Sequence, residues 1–407
     1  MGVPMTEPRL GPSSTPTTQP TARSAAQGTR VFWPFFIGTD NPISYLYGQI
    51  APHFGSTEFD VTVLSSNDGN RSNGNRSNGS RSNGNRSNGG RNDGSRPAPD
   101  NVRVIPSAAY NSWAGRLTVA RHALEQYDLI HTGGIPLLHY PVALLSRLRN
   151  REGTFVHTYR IDADPDSDRT PTGVRRRLGK QADVTTAVSE HTAGTVRSTF
   201  GLDPVVVYNA VDTDLFHPDY DHPVIFEEYA PERPVFLFVG TFEKRKNPLD
   251  VLAVAEQVPE ASFLLVGGGG ETARDAAVAD RAASLDNAHV VGRLPKQRLP
   301  ALYSNAAGFL FPSTMEGCPN VVLEAFASAT PVVGYDATSM PELVADGQRG
   351  YLADVGDIEG LVDGVESILA DPTNRLGRNA RGYVCRNHTF DIVAGQYAAV
   401  YREALDS

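Results

Sequence analysis

This sequence of 407 residues has little cysteine and no long apolar run, and each shortage excludes a class of protein. Two cysteines, Cys318 and Cys385, cannot build a disulfide framework and lack metal-site spacing, so we expect a reducing compartment. No apolar stretch reaches the roughly 18 residues that a membrane-spanning helix needs. Residues 1–29 lack the apolar core of a secretion signal. We therefore expect a cytoplasmic protein whose membrane contact, if any, is peripheral and at the inner face.

Positive charge is scarce as well. The chain has 37 Lys and Arg residues, of which only four are lysines, against 46 Asp and Glu residues, and the net charge is −9. Phosphate contacts require a basic face, so this balance predicts no nucleic-acid partner. Apolar residues make up 40% of the chain, which allows a sizeable core, and the length favours two domains over one.

Residues 67–96 repeat a pentamer of Asn, Arg, Ser, Asn and Gly, with no apolar residue to bury. Such a segment cannot compensate the entropy of folding, so it is predicted to be a disordered insert. Its arginines could tether phosphate or anionic lipid, and a tolerated loop insertion is the simpler interpretation. The Pro-, Thr- and Ser-rich residues 1–29 are predicted to be a disordered tail.

Elsewhere, strand-like runs alternate with helix-like runs. The predicted strands are 30–37, 61–64, 102–105, 128–131, 154–158, 184–188 and 205–207, then 235–239, 263–266, 289–291, 308–311 and 332–335. This alternation predicts parallel sheets covered by helices on both faces. The fold class is therefore α/β, with two Rossmann-like doubly wound domains at 30–220 and 221–388 facing a central cleft, and a final apolar-periodic helix at 389–407.

The segment 311–327 follows a predicted strand and reads FPSTMEGCPNVVLEAFA. Pro319 suits the first position of a helix, so we expect Glu316 in the loop and Glu324 inside the helix. The backbone amides near Cys318 would then lie at a positive helix end, where they could bind a diphosphate. Glu316 could accept hydrogen bonds from sugar hydroxyls and Glu324 from a ribose diol. The alternative is that both are solvated side chains.

A second strand-to-helix loop, at 240–248, carries three consecutive cations, Lys244, Arg245 and Lys246. Asn247 suits an N-cap and Pro248 a first helical residue. Cations at a strand end can stabilise the negative charge of a departing nucleoside diphosphate without a metal. A solvated charged face is the alternative.

Together these segments resemble glycosyltransferase family 4, which comprises retaining enzymes of the two-domain GT-B architecture. The resemblance covers about residues 180–356, and its segments are 182–189, 209–216, 239–246, 265–267, 291–294, 302–306, 316–324 and 346–352. It implies that the N-terminal domain binds the acceptor, that the C-terminal domain binds the donor, and that the final helix crosses back to the N-terminal domain.

The resemblance also implies roles for single residues. Lys246 would bind the diphosphate, Glu316 and the amides after it would contact the donor sugar, and Glu324 would hold the ribose. The base would lie beside Gly292, Arg293 and Leu294, and the donor site would further include Gly317, Cys318, Pro319, Asn320 and Val321. The donor would be a UDP- or GDP-sugar and the acceptor a glycan, a lipid-linked glycan or a small molecule, with neither a cofactor nor an obligatory metal.

The chain departs from the family pattern at three places. Gly38 occupies the place of the glycine-rich loop near the donor and is one glycine where the family has two. Arg160 stands where many members carry His, and His157 and His131, which lie elsewhere on predicted strands, are more simply structural. Thr241 stands where most relatives carry an Arg on the diphosphate. Arg245 is the candidate substitute, which would make Arg245 catalytic together with Lys246 and Glu316.

Other functions stay open. Residues 268–273 fit a relaxed G-x-G-x-x-A pattern, which would suit a nicotinamide-dependent oxidoreductase, but Gly292 and Arg293 stand where an acid should hold the ribose. A GT-B nucleotide-sugar epimerase would need no acceptor, and a non-catalytic nucleotide-sugar-binding protein would keep the donor site alone. The basic residues 175–177 with Lys180 could contact anionic lipid or form a solvated helix face.

Overall fold

The computed structural model describes residues 28–37, 49–54, 58–66, 100–107, 113–125, 127–133, 153–160, 172–229, 233–268 and 272–407. Most of the predicted tail, the predicted insert at 67–96, and Gly38 lie outside the described residues.

The N-terminal half forms a parallel sheet of seven strands in the order β3-β2-β1-β4-β5-β6-β7. The strands are β1 (Thr29–Ile37), β2 (Phe59–Ser66), β3 (Val102–Ser107), β4 (Leu129–Gly133), β5 (Thr154–Tyr159), β6 (Val184–Ala187) and β7 (Val205–Val206). Strand β1 contains Pro34, which has no amide hydrogen for the ladder. Its pairing with β2 accordingly shifts register between Trp33 and Phe36.

The second sheet has six parallel strands in the order β10-β9-β8-β11-β12-β13. The strands are β8 (Val235–Gly240), β9 (Ser262–Gly267), β10 (Ala288–Gly292), β11 (Gly308–Phe311), β12 (Val332–Tyr335) and β13 (Gly350–Ala353). The predicted fold class and the predicted strands are confirmed. Strand β13 was missed because its four residues, GYLA, contain a glycine and an alanine, no β-branched residue, and lie at the sheet edge.

The described residues also form twelve α-helices. They are α1 (Trp113–Ala123), α2 (Thr172–Gln181), α3 (Glu190–Phe200), α4 (Val224–Tyr229), α5 (Pro248–Gln257), α6 (Ala273–Ala283), α7 (Leu299–Asn305), α8 (Asn320–Ala327), α9 (Met340–Val344), α10 (Ile358–Leu369), α11 (Arg375–Asn387) and α12 (Phe390–Asp406). Short 3₁₀ helices cover Ala51–His53, Lys244–Lys246 and Lys296–Arg298. Within the described part of the chain, no helix combines the length and apolarity that crossing a bilayer requires.

Alternate residues of the N-terminal strands face two different layers, as the period of two dictates. Residues such as Val31 and Val156 pack with α12 on one face, whereas Phe32 and Phe155 pack with α1 and α2 on the other. The last helix of the chain therefore covers the first sheet. On this side the Trp33 Nε1 donates to the Tyr401 hydroxyl at 2.9 Å.

Polar contacts join the two domains. The Glu342 carboxylate, on α9, accepts hydrogen bonds from the backbone amides of Glu190 and His191 at 2.9 and 2.6 Å, and from the Tyr208 hydroxyl at 2.6 Å. A carboxylate at the N-terminus of α3 is favoured by the helix dipole. Because α3 follows β6 and α9 follows β12, the carboxyl ends of the two sheets meet at one cleft.

Candidate active site

Two strand-to-helix loops lie side by side at this cleft. One runs from β8 through Lys244–Lys246 to α5, and the other runs from β11 to α8. Strands β8 and β11 are neighbours in the sheet, which places both loops at the same edge. The Thr314 amide donates to the Arg245 carbonyl at 2.8 Å, and Asn247 Nδ2 donates to the Pro312 carbonyl at 2.9 Å. The positions predicted for Asn247 as N-cap and Pro248 as first residue of α5 are confirmed.

Two cations converge on Glu316. Its Oε1 lies 2.8 Å from Arg245 Nη1, 3.0 Å from Lys246 Nζ and 2.8 Å from the Ser313 Oγ. The side chains of Glu316 and Lys246 are each 12% exposed, so this charge cluster is largely withdrawn from water. The structure thus brings together the three residues predicted as catalytic, in a cluster where an incoming diphosphate would compete with the carboxylate for both cations.

Each cation has further contacts that orient it. Lys246 Nζ lies 4.7 Å from the centre of the Phe311 ring, and its stem passes Gly240, where a Cβ atom would lie 3.1 Å from Lys246 Cδ. Arg245 donates through Nε to Glu243 at 2.9 Å and through Nη1 to the Met315 carbonyl at 2.9 Å. The Lys246 side chain is therefore largely buried between Phe311 and Glu316, while Arg245 is tied to both loops.

The backbone of Glu316 is hydrogen-bonded by two residues that the sequence analysis did not predict as part of the site. The Glu316 amide donates to Thr338 Oγ1 at 3.1 Å, and Ser339 Oγ donates to the Glu316 carbonyl at 3.0 Å. Both come from the turn after β12, the neighbouring strand. This contact follows from the pairing of β11 with β12 in the sheet, which the sequence did not show.

Helix α8 begins one residue later than predicted. Pro319 was expected at the first helical position, but it is the N-cap, with an extended ψ of 114°, and the helix begins at Asn320. The prediction was wrong because the Pro ring constrains φ, which extended and helical residues share, and leaves ψ to the surroundings. Glu316 lies in the loop and Glu324 in the helix, as predicted. The first amides of α8, including those of Asn320 and Val321, remain at the positive helix end.

An amide side chain from the N-terminal half holds this helix start. Asn209 Nδ2 donates to the Cys318 carbonyl at 2.8 Å and to Asn320 Oδ1 at 2.9 Å, while its Oδ1 accepts from Arg160 Nη1 at 3.1 Å. Arg160 directly follows β5, and both Arg160 and Asn209 are buried. Burial raises the pKa of the neighbouring Cys318 thiol to about 12, so this cysteine is a neutral packing residue.

Glu324 does not join the Glu316 cluster. Its carboxylate is buried and lies 3.0 Å from Lys296 Nζ, in the 3₁₀ helix after β10. Burial raises the pKa of Glu324, and the charge of Lys296 opposes that rise. Lys296 was not predicted as a site residue. Lysine is rare in this chain, with four lysines among 37 basic residues, and this rarity could have drawn attention to Lys296.

The loop after β10 lies on the other side of β8 from Glu316. Gly292 has a φ of 82°, a conformation that favours glycine, and Arg293 Nε donates to the Gly268 carbonyl at 2.7 Å. Arg293, Gly268, Thr241 and Phe242 line a pocket of about 480 Å³. Leu294 packs partly buried against the core instead.

The two candidate histidines lie inside the N-terminal sheet. His131 Nδ1 lies 2.6 Å from the Tyr401 hydroxyl and its Nε2 lies 2.6 Å from Thr158 Oγ1. His157 Nδ1 lies 2.9 Å from Thr132 Oγ1. Both rings are buried. Among the described residues, no group of three or more His, Cys, Asp and Glu side chains could hold a metal ion.

Comparisons with known proteins agree with this architecture. Residues 224–383 match the family model "Glycosyl transferases group 1", and residues 48–215 match "Glycosyltransferase Family 4". A GDP-mannose-dependent alpha-(1-6)-phosphatidylinositol monomannoside mannosyltransferase of Mycolicibacterium smegmatis is 33% identical over 51% of this chain and 58% of its own length. Alpha-maltose-1-phosphate synthase of the same organism is 31% identical over 56% of this chain and 65% of its own. The matches thus span less than two thirds of these relatives.

Solved structures match over nearly the whole chain. Sucrose-phosphate synthase from Thermosynechococcus elongatus has a TM-score of 0.72 at 19% identity, covering 93% of this chain and 99% of that one. HepE from Anabaena in complex with UDP and glucose has a TM-score of 0.71 at 17% identity, covering 92% and 100%. At this identity, the likeness bears on the fold alone.

Proposed function

Because this chain belongs to glycosyltransferase family 4 and has the GT-B fold, we propose that it is a retaining glycosyltransferase. It moves a hexose-type sugar from a UDP- or GDP-sugar to a glycan, a lipid-linked glycan or a small molecule. The observation that carries the proposal is the convergence of Lys246 and Arg245 on Glu316 beside the start of α8.

Charge neutralisation is the chemical task of this cluster. A departing nucleoside diphosphate gains negative charge, and cations already placed in a partly dry site stabilise it without reorganising during the reaction. In the proposed step Lys246 and Arg245 transfer their contacts from Glu316 to the diphosphate, aided by the first amides of α8. Glu316 is then free to accept hydrogen bonds from sugar hydroxyls.

The rest of the donor lies along the sheet edge in this proposal. The pocket beside Arg293 takes the base, and Glu324 accepts hydrogen bonds from the ribose. The acceptor enters from the N-terminal domain across the cleft. A lipid-linked acceptor would bring the protein into peripheral contact with the inner membrane face.

Nucleotide-sugar titration tests the proposal. We expect isothermal titration to detect binding of GDP-mannose, named for one relative, or of UDP-glucose, bound by HepE in a further structure. Lys246→Ala should remove most of this affinity. Lys244→Ala is the matched control, because Lys244 is exposed two residues away and lies outside the Glu316 cluster.

The pair of variants decides between outcomes. Equal loss in both variants would show that general positive charge, and not the Glu316 cluster, attracts the nucleotide. Absence of binding for every UDP- and GDP-sugar would contradict the donor class.

A further inference from the structure

Helices α1 and α2 cover the same face of the N-terminal sheet. Val119 and Ala123 of α1 and Leu178 of α2 belong to one buried cluster with the strand residues Phe32 and Phe155. The opposite face of the sheet is covered by α12. The outer surfaces of α1 and α2 therefore both point away from the sheet on one side of the molecule.

Helix α1 is apolar on its outer side as well as its inner side. Trp113 is 78% exposed, Leu117 61% and Leu124, directly after the helix, 43%. At about 100° per residue, these three positions fall within roughly 40° of one another around the helix axis. They form a single exposed apolar stripe of large side chains, which a soluble surface rarely carries without a partner.

Cations border this stripe. Arg116 and Arg121 are exposed, and their positions on the helix fall on opposite sides of it. On α2, which packs on the same face of the sheet, Arg176, Arg177 and Lys180 are exposed too. The charged residues within α1 and α2 are thus all basic, although the chain as a whole carries a net charge of −9.

We propose that the outer face of α1, supported by the cations of α2, docks on an anionic lipid surface. An interfacial helix combines an apolar stripe with Lys or Arg beside it, and Trp is favoured at the boundary between headgroups and acyl chains. Charge complementarity selects this partner, since a basic surface on an acidic protein matches anionic headgroups. The role of this docking rests on the proposed function, because docking would bring the active site to a lipid-linked acceptor. Binding of the protein to lipid does not itself require the nucleotide-sugar donor.

Vesicle co-sedimentation of the full chain tests this inference. The protein should sediment with phosphatidylcholine vesicles that contain phosphatidylglycerol, and not with pure phosphatidylcholine vesicles. Arg116→Gln and Arg121→Gln should each weaken binding about fivefold, which corresponds to about 1 kcal/mol for one basic side chain at an anionic surface. Trp113→Ser with Leu117→Ser should abolish binding. Val224→Ser is the matched control, because Val224 is 72% exposed on α4, away from this face.

Other results would overturn the inference. Wild-type protein that ignores anionic vesicles, or a Trp113→Ser and Leu117→Ser variant that still binds them, would do so. A third result would also overturn it: the wild-type protein does not bind vesicles but is a dimer in sedimentation velocity, and the two serine substitutions convert it to a monomer. The stripe would then contact a second copy of the chain. Titration of the same preparations with GDP-mannose and UDP-glucose separates the two proposals, because lipid binding without nucleotide-sugar binding would contradict only the transferase.

Discussion

The Cα atom of Gly317 lies so close to Arg160 that a Cβ atom at residue 317 would be 2.0 Å from the Arg160 carbonyl oxygen. Gly317 follows Glu316 in the C-terminal domain, and Arg160 follows β5 in the N-terminal domain. Glycine is the residue that lets two backbones approach this closely. The domain contact and the charge cluster are therefore one residue apart in the chain.

Gly317→Ala should separate the two domains at this point. Since the obstacle is backbone and cannot rotate away, we expect transfer activity to fall sharply and the free energy of unfolding to drop by about 1 to 3 kcal/mol. Gly194→Ala is the control: outside its own helix backbone and chain neighbours no atom lies within 4 Å of a Cβ there, and alanine favours helix α3. Sugar transfer and urea unfolding measure both effects. Wild-type behaviour of Gly317→Ala would show that the domain contact is dispensable.

Asn209→Asp should uncouple Arg160 from the start of α8. Aspartate still accepts a hydrogen bond from Arg160, but it cannot donate to the Cys318 carbonyl or to Asn320 Oδ1. Loss of two buried donors costs roughly 1 to 3 kcal/mol at the helix start, so we expect at least about tenfold weaker binding of GDP or UDP. Calorimetric titration measures it, and unchanged affinity would mean that Asn209 supports the fold alone.

Arg245→Ala should cut turnover by more than about tenfold, because one ammonium group alone serves a diphosphate poorly in a partly dry site. Arg245→Lys keeps the charge but loses the fork that reaches Glu243, Met315 and Glu316 together, so it should recover only part of the rate. Steady-state kinetics with a nucleotide sugar that binds in the titration above measures the turnover of both variants. Full activity of Arg245→Ala would show that Arg245 is not needed for the diphosphate, and that Lys246 and the first amides of α8 bind it without Arg245.

Lys296→Met should shift the pH dependence of donor binding. Burial raises the pKa of Glu324 and Lys296 opposes this, so removing the lysine raises that pKa further. A ribose diol binds best to the ionised carboxylate, and affinity therefore increases as pH rises through the pKa. The increase should occur at higher pH in Lys296→Met and vanish in Glu324→Gln. Nucleoside diphosphate titrations across pH measure it, and identical profiles in all three proteins would remove Glu324 from the site.

His388 makes stability depend on pH. Its Nδ1 donates to the Asn209 carbonyl at 2.9 Å, and burial lowers its pKa from 6.5 to about 4. The unfolded chain binds the proton more tightly, so the contribution is complete above pH 6.5 and is lost as pH falls toward 4. Between about pH 7 and about pH 5 the free energy of unfolding should decrease by roughly 2 kcal/mol more than in His388→Asn. Urea unfolding at both values measures this, and parallel decreases in both proteins would rule His388 out.

Local patterns were enough to predict much of this protein. The strands follow from short apolar runs between helix-like segments, and the N-terminus of α5 follows from Asn247 and Pro248. The loop position of Glu316 follows from the strand before it and the helix after it. Each of these signals acts within a few residues. The start of α8 was missed by one residue because Pro319 constrains its own φ and not its ψ.

The support of the site was decided by tertiary structure. Asn209 meets Asn320 across 111 residues, and His131 meets Tyr401 across 270. Nothing near either residue in the sequence encodes such a contact, because it depends on how two separately built sheets approach and on where the last helix returns. The sequence by itself determined the two sheets and the residues offered at their edges, and the docking of the domains decided which of those residues hold one another in place.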